Sequence, residues 1–146
     1  MSGGEVSGLV VVMLGVAVTV GAARALRRGQ QSAAWPTVSG VVVTSRVAVL
    51  GADDDWVRAD VTYEYEVASR PYLGARIRFG YRGGPRRGSA EELVAAYPVG
   101  RPVAVHHDPL RLHESVLRPG KDPMARFGFV AGMLIVVAGF VVFASG

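Results

Sequence analysis

Two stretches without a charged residue, Val6 to Ala23 and Phe127 to Ala144, constrain this 146-residue chain more than any other feature. At ~1.5 Å of rise per residue each makes a helix of about 27 Å, close to the ~30 Å of hydrocarbon in a bilayer. Lipid offers no water to unpaired amides and carbonyls, so a run this long and apolar is stable there chiefly as helix. Both stretches are therefore expected to cross a membrane. For the first, the competing reading is a signal peptide cleaved near Ala22 or Ala25. Its start, Met1-Ser2-Gly3-Gly4-Glu5, lacks the base that such peptides carry before their apolar run.

All 16 Lys and Arg residues lie between the two stretches. Arg24, Arg27 and Arg28 follow the first, and Arg118, Lys121 and Arg126 precede the second. Bases gather on the cytoplasmic side of membrane helices, which places the central domain in the cytoplasm, both termini outside, and the chain in the plasma membrane as a multi-pass protein. The expected organisation is residues 1–28 as the N-terminal membrane helix with its basic flank, 29–120 as a soluble β-rich domain, and 121–146 as the C-terminal membrane helix. The net charge of +4 is explained by bases at headgroup level, and their short runs without interleaved aromatics do not suggest a nucleic-acid partner. With no Cys, disulfides and thiolate metal sites are excluded.

The central segment reads as strands. Gln30 to Trp35 is expected to be a linker, and Pro36 disfavours helix at Trp35. Thr37 to Leu50 is rich in β-branched residues, with Gly40 a candidate bulge or bend. Gly51-Ala52-Asp53-Asp54-Asp55 reads as the turn that follows. From Trp56 to Ala68, Val57, Ala59, Val61, Tyr63, Tyr65 and Val67 alternate with polar residues, the pattern of a half-buried strand. After a five-residue link, Ser69 to Leu73, a second alternation places Ala75, Ile77, Phe79 and Tyr81 on one face and Arg76, Arg78 and Arg82 on the other. A hairpin is expected, in a register pairing Glu66 with Arg76, Glu64 with Arg78 and Asp60 with Arg82, and stacking Tyr65 on Ile77 and Tyr63 on Phe79. Ser89-Ala90-Glu91-Glu92 has the spacing of a capping box and opens a short helix that Pro98 closes. Val103 to Val105 and Ser115 to Leu117 read as further strands around an Asp108-Pro109 turn. The expected fold is thus membrane α + β: two transmembrane helices flanking a small, mainly antiparallel β domain, a sheet or partial barrel, with one short helix.

These blocks resemble the bacterial membrane family called domain of unknown function 3592. The resemblance covers Trp35 to Gly120. It is carried by Trp35-Pro36-Thr37 with Gly40-Val41-Val42, by Tyr63-Glu64-Tyr65-Glu66-Val67 with Tyr72 and Gly74, and by Tyr97-Pro98-Val99-Gly100. The most specific block is Val103-Ala104-Val105-His106-His107-Asp108-Pro109 followed by Ser115-Val116-Leu117-Arg118-Pro119-Gly120. The resemblance implies flanking membrane helices around a small β domain and no established activity. Here His107 stands where Tyr is usual, and Leu112-His113 replaces a proline-containing turn.

Three groups of residues are candidates for chemistry. His106, His107, Asp108 and His113 are of metal-ligating type, but strand alternation sends His106 and His107 to opposite faces, so turn chemistry is the preferred reading of Asp108-Pro109. Arg86 and Arg87 before Ser89 set guanidiniums beside a helix N-terminus, where Glu91 and Glu92 oppose an anion. Gly128 and Gly132, continued at Gly139, and the stripe Gly8, Gly15, Thr19 and Ala22 allow close helix approach, in a hairpin or a homodimer. No catalytic, cofactor-binding or metal-binding residue is assigned. The leading expectation is a membrane-anchored binding or scaffold module whose partners are the bilayer and a membrane protein or second copy. The alternative is a membrane-bound metal-dependent hydrolase using His106 or His107 with Asp108.

Overall fold

The computed structural model describes residues 3–52, 55–120 and 123–145. In chain order the elements are α1 (Gly3–Ser32), β1 (Thr37–Val49), β2 (Val57–Val67), β3 (Arg70–Gly74), α2 (Arg87–Ala96), β4 (Pro102–His107), β5 (Ser115–Val116) and α3 (Pro123–Ser145). They form two compact units, one of Met1–Arg28 with Lys121–Gly146 and one of Gly29–Gly120.

Val6–Ser32, whose most apolar 18 residues have a mean hydropathy of 2.3, is the one helical stretch among the described residues long and apolar enough to cross a membrane. The apolar stretch described in α3, Phe129–Val141, is shorter. At ~1.5 Å per residue that apolar stretch covers only about 20 Å, so of the two expected spans only the first has, among the described residues, an apolar run of the length a bilayer requires. The helices pack antiparallel through their small residues. A Cβ on Gly15 would lie 2.9 Å from the Val136 amide nitrogen, one on Gly132 3.0 Å from that of Thr19, and one on Gly139 3.1 Å from that of Val12. Thr19 donates its hydroxyl to the Gly15 carbonyl at 2.8 Å, so the polar atom is satisfied within its own helix. The surroundings of Gly128 lie outside the described residues.

The second unit is built on a five-stranded antiparallel sheet in the order β3-β2-β1-β4-β5. Strand β2 keeps one parity throughout, burying Val57, Ala59, Val61, Tyr63 and Tyr65. Strand β1 does not: Val42 pairs with Tyr63 but Thr44 with Thr62, so Val43 is an extra residue. This bulge changes the inward parity, from Val38, Gly40 and Val42 before it to Ser45 and Val47 after it. Gly40 is not the bulge. It lies opposite Tyr65, where a Cβ would come within 2.7 Å of the Glu64 carbonyl oxygen and a Val105 methyl. Of the turn before β2, Asp53 and Asp54 lie outside the described residues; the Leu50 amide donates to the Trp56 carbonyl across it at 2.7 Å.

Three expectations are corrected. Helix α1 runs on to Ser32, so Gln30 to Ser32 are helix rather than linker. The β2–β3 turn is Ala68-Ser69, at φ 51° and 63°, not a five-residue link. Two consecutive left-handed residues match strand twist, but without Asn or Gly they carry no turn signature. Consequently Glu64 faces Leu73 instead of Arg78, Tyr65 faces Tyr72 instead of Ile77, and Tyr63 faces Gly74 instead of Phe79. Pro71 is tolerated because alternation from the turn-closing Val67–Arg70 pair puts it opposite Glu66 at a position with no ladder bond to give. Finally, α2 begins at Arg87 after an extended Arg86 with no side-chain cap, which places Ser89 inside the helix. In place of a capping box, Arg87 Nε donates to Glu91 one turn on at 3.1 Å.

Helix α2 covers the inner face of the sheet with Ala90, Leu93 and Val94, and Ser45 donates to the Val94 carbonyl at 3.3 Å. Beyond Gly74 the chain leaves β2 and crosses to the opposite edge of the sheet. There Leu117 and Arg118 donate to the carbonyls of Arg76 and Ile77, at 3.2 and 2.7 Å, so the sheet's two edges meet. Where the unit begins and ends, the Gly120 amide donates to the Gly29 carbonyl at 3.0 Å and the Ser32 hydroxyl lies 3.3 Å from the same amide.

Candidate functional site

The departure of the chain at Gly74 opens a cleft. Strand β2 is paired with β3 only from Tyr63 onward, and residues 75–84 rejoin it at its start, where Val57 and Gly84 exchange backbone bonds of 2.9 and 2.8 Å. Between these points the two segments are spaced by side chains. The Ala59 amide donates to the Tyr81 hydroxyl at 2.9 Å where a ladder would have placed a carbonyl.

The resulting cleft has a volume of about 540 Å³ and is lined by Arg58, Asp60, Arg76, Arg78, His113 and Glu114, among others. Volumes of this order accommodate small organic ligands. The Arg76 guanidinium lies over the Phe79 ring at 4.7 Å and that of Arg78 over Tyr81 at 5.6 Å. For Arg76, such stacking holds the planar cation by the ring face and leaves N–H edges for planar acceptors. Both acids of the lining are engaged by arginines outside it: Asp60 accepts from Arg46 at 3.1 Å and Glu114 from Arg111 at 3.1 Å. Cationic groups therefore set the character of the cleft.

Its floor is fixed by Tyr63, which is fully buried. The phenol donates to the Arg76 carbonyl at 3.0 Å and shares a second 3.0 Å bond with Ser115. Burial pushes its pKa up from 10 to about 12, against the lowering effect of the Ser115 bond. Burial also raises Tyr65, whose hydroxyl donates to the Leu112 carbonyl at 2.7 Å. The ring of Tyr63 occupies the space that a Cβ on Gly74 would need, so residue 74 has no room for a side chain.

The residues singled out from sequence are dispersed. His106 lies 3.3 Å from the Thr37 hydroxyl through Nδ1, whereas His107, the next residue, is buried with its Nδ1 unpartnered among the described residues. Asp108 is turn chemistry: Oδ1 accepts from the Leu110 amide at 2.9 Å, and Oδ2 lies 3.5 Å from Arg111. His113 stands apart in the arginine-lined cleft. No three His, Asp or Glu residues converge on a point among the described residues, and nothing in the geometry favours a metal-dependent hydrolase. Arg87 is tied to Glu91, and no feature at the start of α2 recommends an anion site there. The sequence places Arg58 on the polar face of β2 and Arg76 and Arg78 as cross-strand partners of Glu66 and Glu64, not in a cleft. The one sequence signal of Arg76 and Arg78 is alternation with apolar residues between Gly74 and the glycines at 80, 83 and 84.

A family profile described as domain of unknown function (DUF3592) matches residues 38–122, more than half the chain. The chain belongs to that family. The match takes in both walls of the cleft and leaves Trp35-Pro36-Thr37 just outside it. No curated protein matches the chain.

Proposed function

We propose that this chain is a membrane-anchored binding module that presents its β unit, with the arginine-lined cleft, to a partner at the cytoplasmic face. The observation that carries this reading is the character of α1. Its apolar window is only 11% buried, and Val6, Leu9, Val10, Met13 and Leu14 turn outward. A core helix of a soluble protein buries such side chains, and water disfavours their exposure by about 25 cal/mol per Å². Lipid removes that cost. α3 shares the character, with Phe127, Phe129, Val130, Met133 and Leu134 exposed. Its 23 residues and its glycine contacts with α1 support a second span, so that the two helices form a hairpin in the bilayer. The bases beside both helices support a cytoplasmic β unit with external termini.

Carbonate washing of membranes tests anchorage: the full-length chain is expected in the pellet, and recovery in the wash would end the reading. Orientation is tested on the naturally cysteine-free chain by single cysteines at Gly84 and Ser2. In intact cells an impermeant maleimide is expected to label the Ser2 site and spare the Gly84 site. Removal of α1 as a signal peptide would instead appear as loss of the Ser2 label with a shortened product.

A further inference from the structure

We propose that the cleft beside the first half of β2 is an anion site for a phosphoryl group, a phosphate monoester or diester, held by Arg58 and Arg76 with Arg78 completing the wall. This deepens the binding-module reading and rests on it for its membrane setting.

Arg58, Arg76 and Arg78 line one cleft of about 540 Å³ together with two acids, of which Asp60 accepts from Arg46 and Glu114 from Arg111, both arginines outside the lining. Arginines on an ordinary solvated strand face spread apart and lie over open surface. Here the wall is pinned from two sides. The Arg76 carbonyl accepts both the Tyr63 hydroxyl and the Leu117 amide, and its guanidinium is stacked on Phe79. The backbone of Arg58 is held on β2 by its pairing with Ala48. Tyr81 adds a neutral donor, because its oxygen accepts from Ala59 and its own O–H remains available to the cleft. Guanidinium forks beside a hydroxyl suit tetrahedral oxyanions, which accept two parallel N–H bonds per fork. The volume exceeds what inorganic phosphate fills, which favours a phosphoryl group carrying a substituent. Two sources supply that chemistry, a soluble phosphate ester and a lipid headgroup.

The test uses the full chain in two settings: detergent micelles with pyrophosphate titrated in, and lipid nanodiscs of phosphatidylcholine with and without phosphatidic acid. Saturable pyrophosphate binding in micelles identifies a soluble anion as a sufficient ligand. Co-purification of phosphatidic acid with the protein, without pyrophosphate binding, identifies the headgroup. Losing one charge-assisted contact is worth roughly tenfold in affinity, so Arg58→Gln and Arg76→Gln are each expected to weaken binding by about that factor or more. Arg46→Gln, which releases Asp60 toward the cleft, is expected to weaken it too. Arg87→Gln, an exposed base elsewhere, is expected to leave it unchanged. A second measurement needs no variant: pyrophosphate or phosphatidic acid should protect Arg58 and Arg76, and not Arg87, from phenylglyoxal in the wild-type chain.

No saturable binding of either probe, equal losses for Arg76→Gln and Arg87→Gln, or uniform protection of all arginines would overturn the site. Because the micelle assay does not depend on insertion, a chain that washes from membranes yet binds pyrophosphate overturns the anchor alone. A chain that stays in membranes and binds neither probe overturns the site alone.

Discussion

The phenol of Tyr63 ionises only by placing a charge in the buried interior, beside Ser115 and the Arg76 carbonyl, and that burial pushes its pKa from an ordinary 10 up to about 12. The native state holds that proton more tightly than the unfolded chain does. Its contribution is therefore complete below pH 10 and is lost as pH rises through 12. Two pH units correspond to about 3 kcal/mol. Urea midpoints of the β unit are expected to fall steeply between pH 10 and 12, and Tyr63→Phe to flatten that fall. At neutral pH the same substitution should cost about 1 kcal/mol through the bonds to Arg76 and Ser115. Single residues were legible in the sequence where burial decides: the inward row of β2 follows from alternation alone. Gly40 and Gly74 were not, because what excludes a side chain there is a backbone or ring that arrives from another strand.

In the β2–β3 hairpin, Ala68 and Ser69 hold a left-handed backbone that costs an L-residue about 1–2 kcal/mol, and both are exposed. The double substitution A68N/S69G puts asparagine and glycine, which accept this conformation, at the two turn positions. Allowing for the entropy glycine adds to the unfolded chain, a gain of about 1 kcal/mol is expected. It would be read as a higher denaturant midpoint with an unchanged slope. The same turn shows where sequence reasoning loses its grip. Strand identity and hairpin existence follow from periodicity, but register was inferred from charge rows whose exposed pairs are worth only about 0.2–1 kcal/mol. A two-residue turn, the packing of Tyr63 against Gly74 and the pull of Leu117 and Arg118 on residues 76 and 77 outweigh them. At α2, likewise, the spacing from Ser89 to Glu92 is an available cap, but the helix starts at Arg87 and leaves it unused.

The unit Gly29–Gly120 contains its own sheet, covering helix and buried core. Expressed alone, residues 29–120 are expected to remain in the supernatant after ultracentrifugation and to unfold in one cooperative transition, while the full chain sediments with membranes. Aggregation of the fragment would show that the flanking helices contribute to its core. The order of helices and strands could be read from where apolar runs, β-branched residues and prolines fall. The cleft could not, since it exists only because a strand that looked continuous from Ala75 to Arg82 peels away at Gly74 to join the far edge of the sheet. The bond between the Gly120 amide and the Gly29 carbonyl has a mechanical meaning as well. Tension applied through the flanking chain is borne first by this clasp, so the β ladder is bypassed until the clasp opens. For the same reason residues 29–120 form a transplantable cassette, whose neighbouring ends suit insertion into a surface loop of a host protein without stretching either partner.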